Sequence, residues 1–457
     1  MKIATLFVVG AAVLAPLAFA DDTNPMQERA DRFLALANAS YQALYYVQSE
    51  AQWKAVTDVS EAHDAASETA GRAYAAFTGN PALINETKLL LFHRNELNDL
   101  TVRQLEKLLL VAAEGPMTNP KLTQDRIAAE TAQASTLNGF EFKLHGKPIT
   151  VNQIDELFRS STDLNKRLDV WQASKESGKA LRAGLIKARD LRNGVAQEMG
   201  YHDYFTLQVA KYDMTTEEML KLNEEFMRVL KPLYLQLHTW AKYQLAEKYH
   251  QPVPKLIPAH WLNDRWSQEW GGMVESANLT PYFKNRTPEW VAQASERFYV
   301  GLGFPPLPKS FWEKSDLYPV PDGSTRKKNT HASAWHLDLD NDLRSLQSIE
   351  ATPEWFETNH HEFGHIYYFM SYTRPEVPPL LRDGANPAFH EGFGELTALA
   401  AGQAPYLKSV GVLPSDFQPD IIAFSLHTAL GSGGIPFMFW AAGVMAHWEA
   451  DIYAHNL

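Results

Sequence analysis

No cysteine occurs among the 457 residues. Disulfides are therefore excluded, and stability must come from a buried core, which a chain of this length can build. Positive charge is also scarce: 42 Lys and Arg face 54 Asp and Glu, a formal net charge of −12. That balance argues against a nucleic-acid partner, which would call for a basic patch or stripe. It mildly favours cationic peptides approaching the surface. There are no Gly/Ser tracts, low-complexity segments or obvious repeats, so no linker supports the two or three domains that length alone would allow. Long apolar runs are confined to the N-terminus. Lys2 precedes an apolar run from Ile3 to Leu14, and Ala18-Phe19-Ala20 supplies a small-x-small pattern before Asp21. Residues 1–20 thus read as a cleaved secretory signal, too short to favour a spanning helix. The expectation is a periplasmic or secreted protein with no transmembrane segment after signal cleavage.

What the chain does contain is His361-Glu362-Phe363-Gly364-His365 and, downstream, His390-Glu391-Gly392-Phe393-Gly394-Glu395. Residues four apart share a helix face, roughly 5–6 Å apart at Cβ. Two imidazoles so placed can converge on one zinc ion, and Glu362 beside them can act as a proton acceptor. A catalytic zinc takes a third protein ligand, for which Glu391 is the best candidate. Phe363, Ile366, Tyr367 and Met370 form an apolar stripe that would pack inward on the side away from the histidines. In the second segment Asn386 suits an N-cap, Pro387 the first turn and Gly402 the position past the end. Phe389, Phe393, Leu396 and Ala400 are expected to form its buried face. Glu395, on the same side as Glu391, could orient a ligand histidine from behind.

Further along the chain stand Arg382-Asp383-Gly384-Ala385-Asn386-Pro387-Ala388-Phe389-His390-Glu391 and, upstream, His331-Ala332-Ser333-Ala334-Trp335. Together with His360 to His365, these resemble the angiotensin-converting-enzyme family of peptidyl-dipeptidases. Weaker similarity covers Ile257 to His260, Trp266 to Trp270 and Ile435 to Phe437. The resemblance implies a mainly α fold: a large helical metallopeptidase with a deep central channel and a small β-sheet. It implies one Zn2+ per chain, oligopeptide substrates, and release of dipeptides from their C-termini. It also implies that the Ala332 backbone holds the substrate chain, that His331 binds near the scissile bond, and that Gln268 holds the substrate's C-terminal carboxylate.

The pattern agrees with that picture along most of the length. Asp22 to Glu114 reads as amphipathic helix, where the family places lid helices. Thr215-Thr216-Glu217-Glu218 offers a capping box opening a helix whose Met219, Leu222, Phe226 and Val229 recur at core spacing. Prolines 305, 306, 308, 319 and 321 mark an irregular connection, and Thr330 to Leu339 suits a short strand. Three departures matter. Glu357 and Thr358 stand where animal relatives are apolar, implying more polar pockets beyond the scissile bond. No arginine lies between Phe205 and Tyr212 where the family places one for chloride, so chloride activation is not carried over. Finally, a helix beginning near Pro436, with Phe437, Trp440, Val444, Trp448 and Ile452 on one face, reaches Leu457, whereas the family's domain continues. There the family keeps a lysine and a tyrosine that grip the substrate carboxylate, and a histidine and another tyrosine that stabilise the tetrahedral intermediate. Residues 21–457 are accordingly expected to form a single peptidyl-dipeptidase catalytic domain lacking its C-terminal part, monomeric when complete. The alternatives are a zinc carboxypeptidase or oligoendopeptidase, or a non-catalytic relative that binds peptide or zinc.

Overall fold

The computed structural model describes residues 24–321, 323–431 and 433–455. The secretory-signal reading of residues 1–20 lies outside them. The fold is mainly α, with two small two-stranded antiparallel sheets among the described residues.

Helix Pro25–Thr57 starts where sequence chemistry places it: the Asn24 side chain accepts hydrogen bonds from Met26 and Gln27 N–H, with Pro25 in the first turn. Its Ala30, Leu34, Ala37 and Tyr41 recur every three or four residues and are buried together with Leu83, Leu90, Leu105 and Leu108. Beside it lie helices Glu61–Thr78 and Pro120–Asn138, and the latter packs in turn on Leu164–Glu198. A cavity of about 680 Å³ opens between the first three of these helices and a strand, lined among others by Tyr45, Tyr74, Arg126, Ala334, Trp335 and Tyr372. The strand, Ser333–His336, falls inside the segment expected from sequence. It pairs antiparallel with Leu343–Leu346, Ser333 opposite Leu346 and His336 opposite Leu343.

Two expected faces turn out differently. The Thr215–Glu218 capping box forms and opens helix Thr216–Lys248. However, Leu222, Phe226 and Val229 are exposed, and the helix buries Leu237, Ala241, Leu245 and Ala246 instead. Periodicity identifies an apolar face but not whether another element covers it. The last helical stretch, Ile435–Met438 and Ala446–Tyr453, is joined through a π-helical segment at Phe439–Met445. Val444 and Trp448 are exposed there. Contrary to the expectation that only the N-terminus is strongly apolar, the run Ile421–Tyr453 is long and apolar enough to cross a membrane by length and composition. Helix Ile421–Leu430 nonetheless ends before Ile435, with Gly433 in the left-handed region at φ 65°.

The two segments with the histidines and glutamates are helices Pro353–Tyr372 and Pro387–Ala401. Thr352 caps the first by accepting from Trp355 N–H, and Asn386 caps the second by accepting from Phe389 N–H. The helices meet at two glycines. A Cβ on Gly364 would lie 3.0 Å from Gly394 Cα, and one on Gly394 would lie 2.9 Å from His361 Nδ1. The face of the second helix turned to the first is therefore small: Gly394, Thr397, Ala398 and Ala401 are buried, while Phe389 and Leu396 are 60% and 62% exposed. This corrects the expected face at Phe389, Leu396 and Ala400, because large side chains would hold the helices apart; Phe393, from the same expected face, is half-buried against the core. From a third helix, Pro288–Gly301, Tyr299 Oη lies 2.7 Å from both His360 O and Thr397 Oγ1, tying the pair together.

Gly394→Ala should lower the free energy of unfolding by about 1–3 kcal/mol, since the added methyl must displace the His361 ring. Thermal denaturation checks this; an unchanged midpoint would show that the helices have room to spare.

Candidate metal centre

Helix Pro353–Tyr372 is buried almost all round: Phe363, Ile366 and Tyr367 face the core, while Glu362 and His365 are also buried. His361 and His365 stand one turn apart, Nε2 to Nε2 3.0 Å. From the second helix, Glu391 brings Oε2 to 3.2 Å from His361 Nε2 and 3.7 Å from His365 Nε2. These are the atoms of the described residues that gather as a possible metal-binding group. Ligands about 2.05 Å from a tetrahedral ion lie roughly 3.3 Å apart. Spacings of 3.0, 3.2 and 3.7 Å bracket that value, so the donor set fits one zinc ion.

The electrostatics point the same way. Burial disfavours charge on His361, but hydrogen bonds to Glu391 and Glu395 overcome it and raise His361 to about 10. The Glu391 carboxyl is lowered chiefly by its hydrogen bond with His361. His365 is held below the ordinary imidazole value by burial and by the neighbouring charge on His361. Without a metal, one proton thus occupies the space between two imidazoles and a carboxylate, and a divalent ion can take its place. Glu362 is compensated only in part, by the charge on His361. Burial pushes its carboxyl up to about 7, and its Oε2 is buried without a hydrogen-bond partner.

Glu395 Oε1 lies 3.5 Å from His361 Nδ1, on the far side of that ring from Glu391. Among the described residues no hydrogen bond joins the residues assigned from sequence to substrate to this group. His331 is exposed, its Nδ1 2.8 Å from the Ala332 carbonyl. Ala332 is half-buried just before the strand, and Gln268 sits on a loop with its Oε1 buried and without a partner among the described residues.

Two features escaped sequence reasoning. His390 Nδ1 lies 2.7 Å from His365 Nδ1. Glu269 and Glu357 are both pushed up to about 8, first by burial and then by carboxylates including Glu354 and Glu395. The unusual Glu357 was visible in the sequence, but its convergence with Glu269 is a tertiary effect.

A family model for the angiotensin-converting enzyme peptidases matches residues 24–448. The chain belongs to the angiotensin-converting-enzyme family. Among its relatives, the angiotensin-converting enzyme of the pig is 31% identical over 304 residues, covering 63% of this chain and 23% of that protein. The enzyme of the leech Theromyzon tessulatum is 30% identical over 319 residues, 66% of this chain and 50% of its own. That of the fly Haematobia irritans exigua is 31% identical over 277 residues, 57% and 44% respectively. The chain thus spans half or less of the length of these members of the angiotensin-converting-enzyme family.

Two measurements test the electrostatics. Zinc binding should release about one proton per chain, with affinity rising about tenfold per pH unit between roughly pH 6 and 9, as the proton on His361 becomes easier to displace. Calorimetry in buffers of different ionisation enthalpy reads this directly, and binding without proton release would contradict the arrangement. Glu357 is a group whose folded pKa is raised, so its favourable contribution is present below the ordinary carboxylate value and is lost as pH rises through about 8. Glu357→Gln should therefore unfold at higher temperature than the parent at pH 9, by on the order of 1 kcal/mol. The difference should close towards pH 5, and a variant that is less stable at pH 9 would refute the assignment.

Proposed function

We propose that this chain is an exported zinc metallopeptidase that releases dipeptides from the C-terminus of oligopeptides. Family membership supports a zinc peptidase. The observation that carries the reading is the convergence of His361, His365 and Glu391 beside a buried Glu362 whose Oε2 has no partner among the described residues. Export rests on the charged, apolar and small-residue pattern of residues 1–20.

His361 Nε2, His365 Nε2 and Glu391 Oε2 would hold the ion. A zinc ion there supplies Lewis acidity, polarising the scissile carbonyl and making water nucleophilic near neutral pH. Glu362 does the proton work. With its carboxyl near 7, it is poised both to accept the proton of the attacking water and to return it to the leaving amine. Burial provides that balance, since a fully exposed glutamate would be a weaker base.

The substrate chain is assigned to the strand Ser333–His336. Among the described residues its pairing partner occupies one edge only, and Ala334 and Trp335 line the cavity of about 680 Å³, so a peptide can add along the other edge through main-chain hydrogen bonds. Ala332 would extend that edge, with His331 near the scissile bond. The Gln268 side-chain amide is assigned to the substrate's terminal carboxylate, to which its N–H would donate.

The zinc-loaded chain should release a C-terminal dipeptide from an oligopeptide with a free carboxylate and spare the same peptide when amidated, as mass spectrometry of the products will show. Single-residue release, or equal internal cutting of both peptides, would replace this reading with a carboxypeptidase or oligoendopeptidase. Glu362→Gln should keep its zinc and lose activity by about 10²–10⁴-fold.

A further inference from the structure

The two histidines of the metal centre are supported differently from behind. His361 Nδ1 faces a carboxylate, Glu395. His365 Nδ1 faces an imidazole nitrogen, His390 Nδ1, at 2.7 Å. A nitrogen–nitrogen contact that short is a hydrogen bond, with one proton between the rings. An imidazole that offers Nε2 to a metal while remaining neutral carries its proton on Nδ1. His365 is therefore the donor and His390 Nδ1 the acceptor. The His390 proton then sits on Nε2, which is buried and has no partner among the described residues.

The surroundings hold His390 in place for this. Its ring lies 4.6 Å from that of Tyr368 and 5.0 Å from that of Phe369. On another side, a Cβ at Gly384 would come within 3.2 Å of the ring, and Gly384 has a φ of 73°, which favours glycine. The aromatic walls leave the ring little freedom to turn away. In sequence His390 directly precedes Glu391, so one helix supplies both the third donor and the group behind His365.

We propose that His390 is a positioning residue. It fixes the tautomer and ring orientation of His365 so that the Nε2 lone pair points at the site, with no contact of its own with metal or substrate. This rests on the reading of His365 as a zinc ligand. Groups behind metal-binding histidines typically contribute about 10–100-fold in metal affinity. A neutral imidazole orients its partner while raising the partner's basicity less than a carboxylate does.

The test is the zinc dissociation constant of the full chain, measured by competition with a chelator, alongside the thermal midpoint of the metal-free forms. His390→Phe retains ring volume but lacks an acceptor, and should weaken zinc binding about 10–100-fold without lowering the metal-free midpoint. His390→Asn, whose carbonyl oxygen can stand where Nδ1 does, should restore affinity to within a few-fold of the parent. Parent-like affinity in His390→Phe, or an Asn variant as weak as Phe, would overturn the proposal. His361→Ala keeps the underlying reading separate: it should lose zinc. If it binds as tightly as the parent, the metal centre itself is misassigned and the role of His390 falls with it. If His361→Ala loses zinc while His390→Phe retains it, only the role of His390 is refuted.

Discussion

The site depends on how closely two helices can approach. Neither Pro353–Tyr372 nor Pro387–Ala401 contains the full donor set. His361 and His365 come from one, Glu391 and Glu395 from the other, and the side chains are of fixed length. Glycine at 364 and 394 removes the side-chain atoms that would keep the backbones apart. Tyr299 then holds the contact through polar groups of both helices, His360 O and Thr397 Oγ1. Small side chains at the crossing, large ones turned outward and a buried polar tie are consequences of one distance.

That closeness also sets the electrostatics. Bringing two imidazoles within 3.0 Å of each other would be unfavourable if both were charged. The acidic groups on the facing helix resolve this by favouring charge on His361 while His365 stays neutral. Burial acts on Glu362 in the opposite sense from its action on the histidines, since it penalises whichever form carries charge. Burial at one helix interface therefore tunes a carboxyl upward and an imidazole downward, with the charge on His361 acting on both.

The local chemistry of this site was legible in the sequence. Four-residue spacing placed His361 and His365 together, and Asn386, Pro387 and Gly402 marked the ends of the second helix. The short strand near Trp335 and the capping box at Thr215 were legible for the same reason: each is decided within a few residues. Burial was not. Phe389 and Leu396 look like a core face by period and composition, yet the core side of that helix is made of Gly394, Thr397, Ala398 and Ala401. Leu222, Phe226 and Val229 show the same limit. His390 was overlooked because its partner lies on another helix, and only the crossing brings their rings together.

If a peptide adds to the short strand as proposed, the brevity of that strand has a consequence for selectivity. In an extended segment, backbone N–H and C=O groups point to one edge at alternate residues, so four residues from Ser333 to His336 expose few of them on the free side. Main-chain groups are the same in every amino acid. A docking rail so brief, and blind to side chains, would tolerate almost any sequence threaded along it. Discrimination among guests would then fall to the walls of the cavity, where the charged and aromatic residues stand.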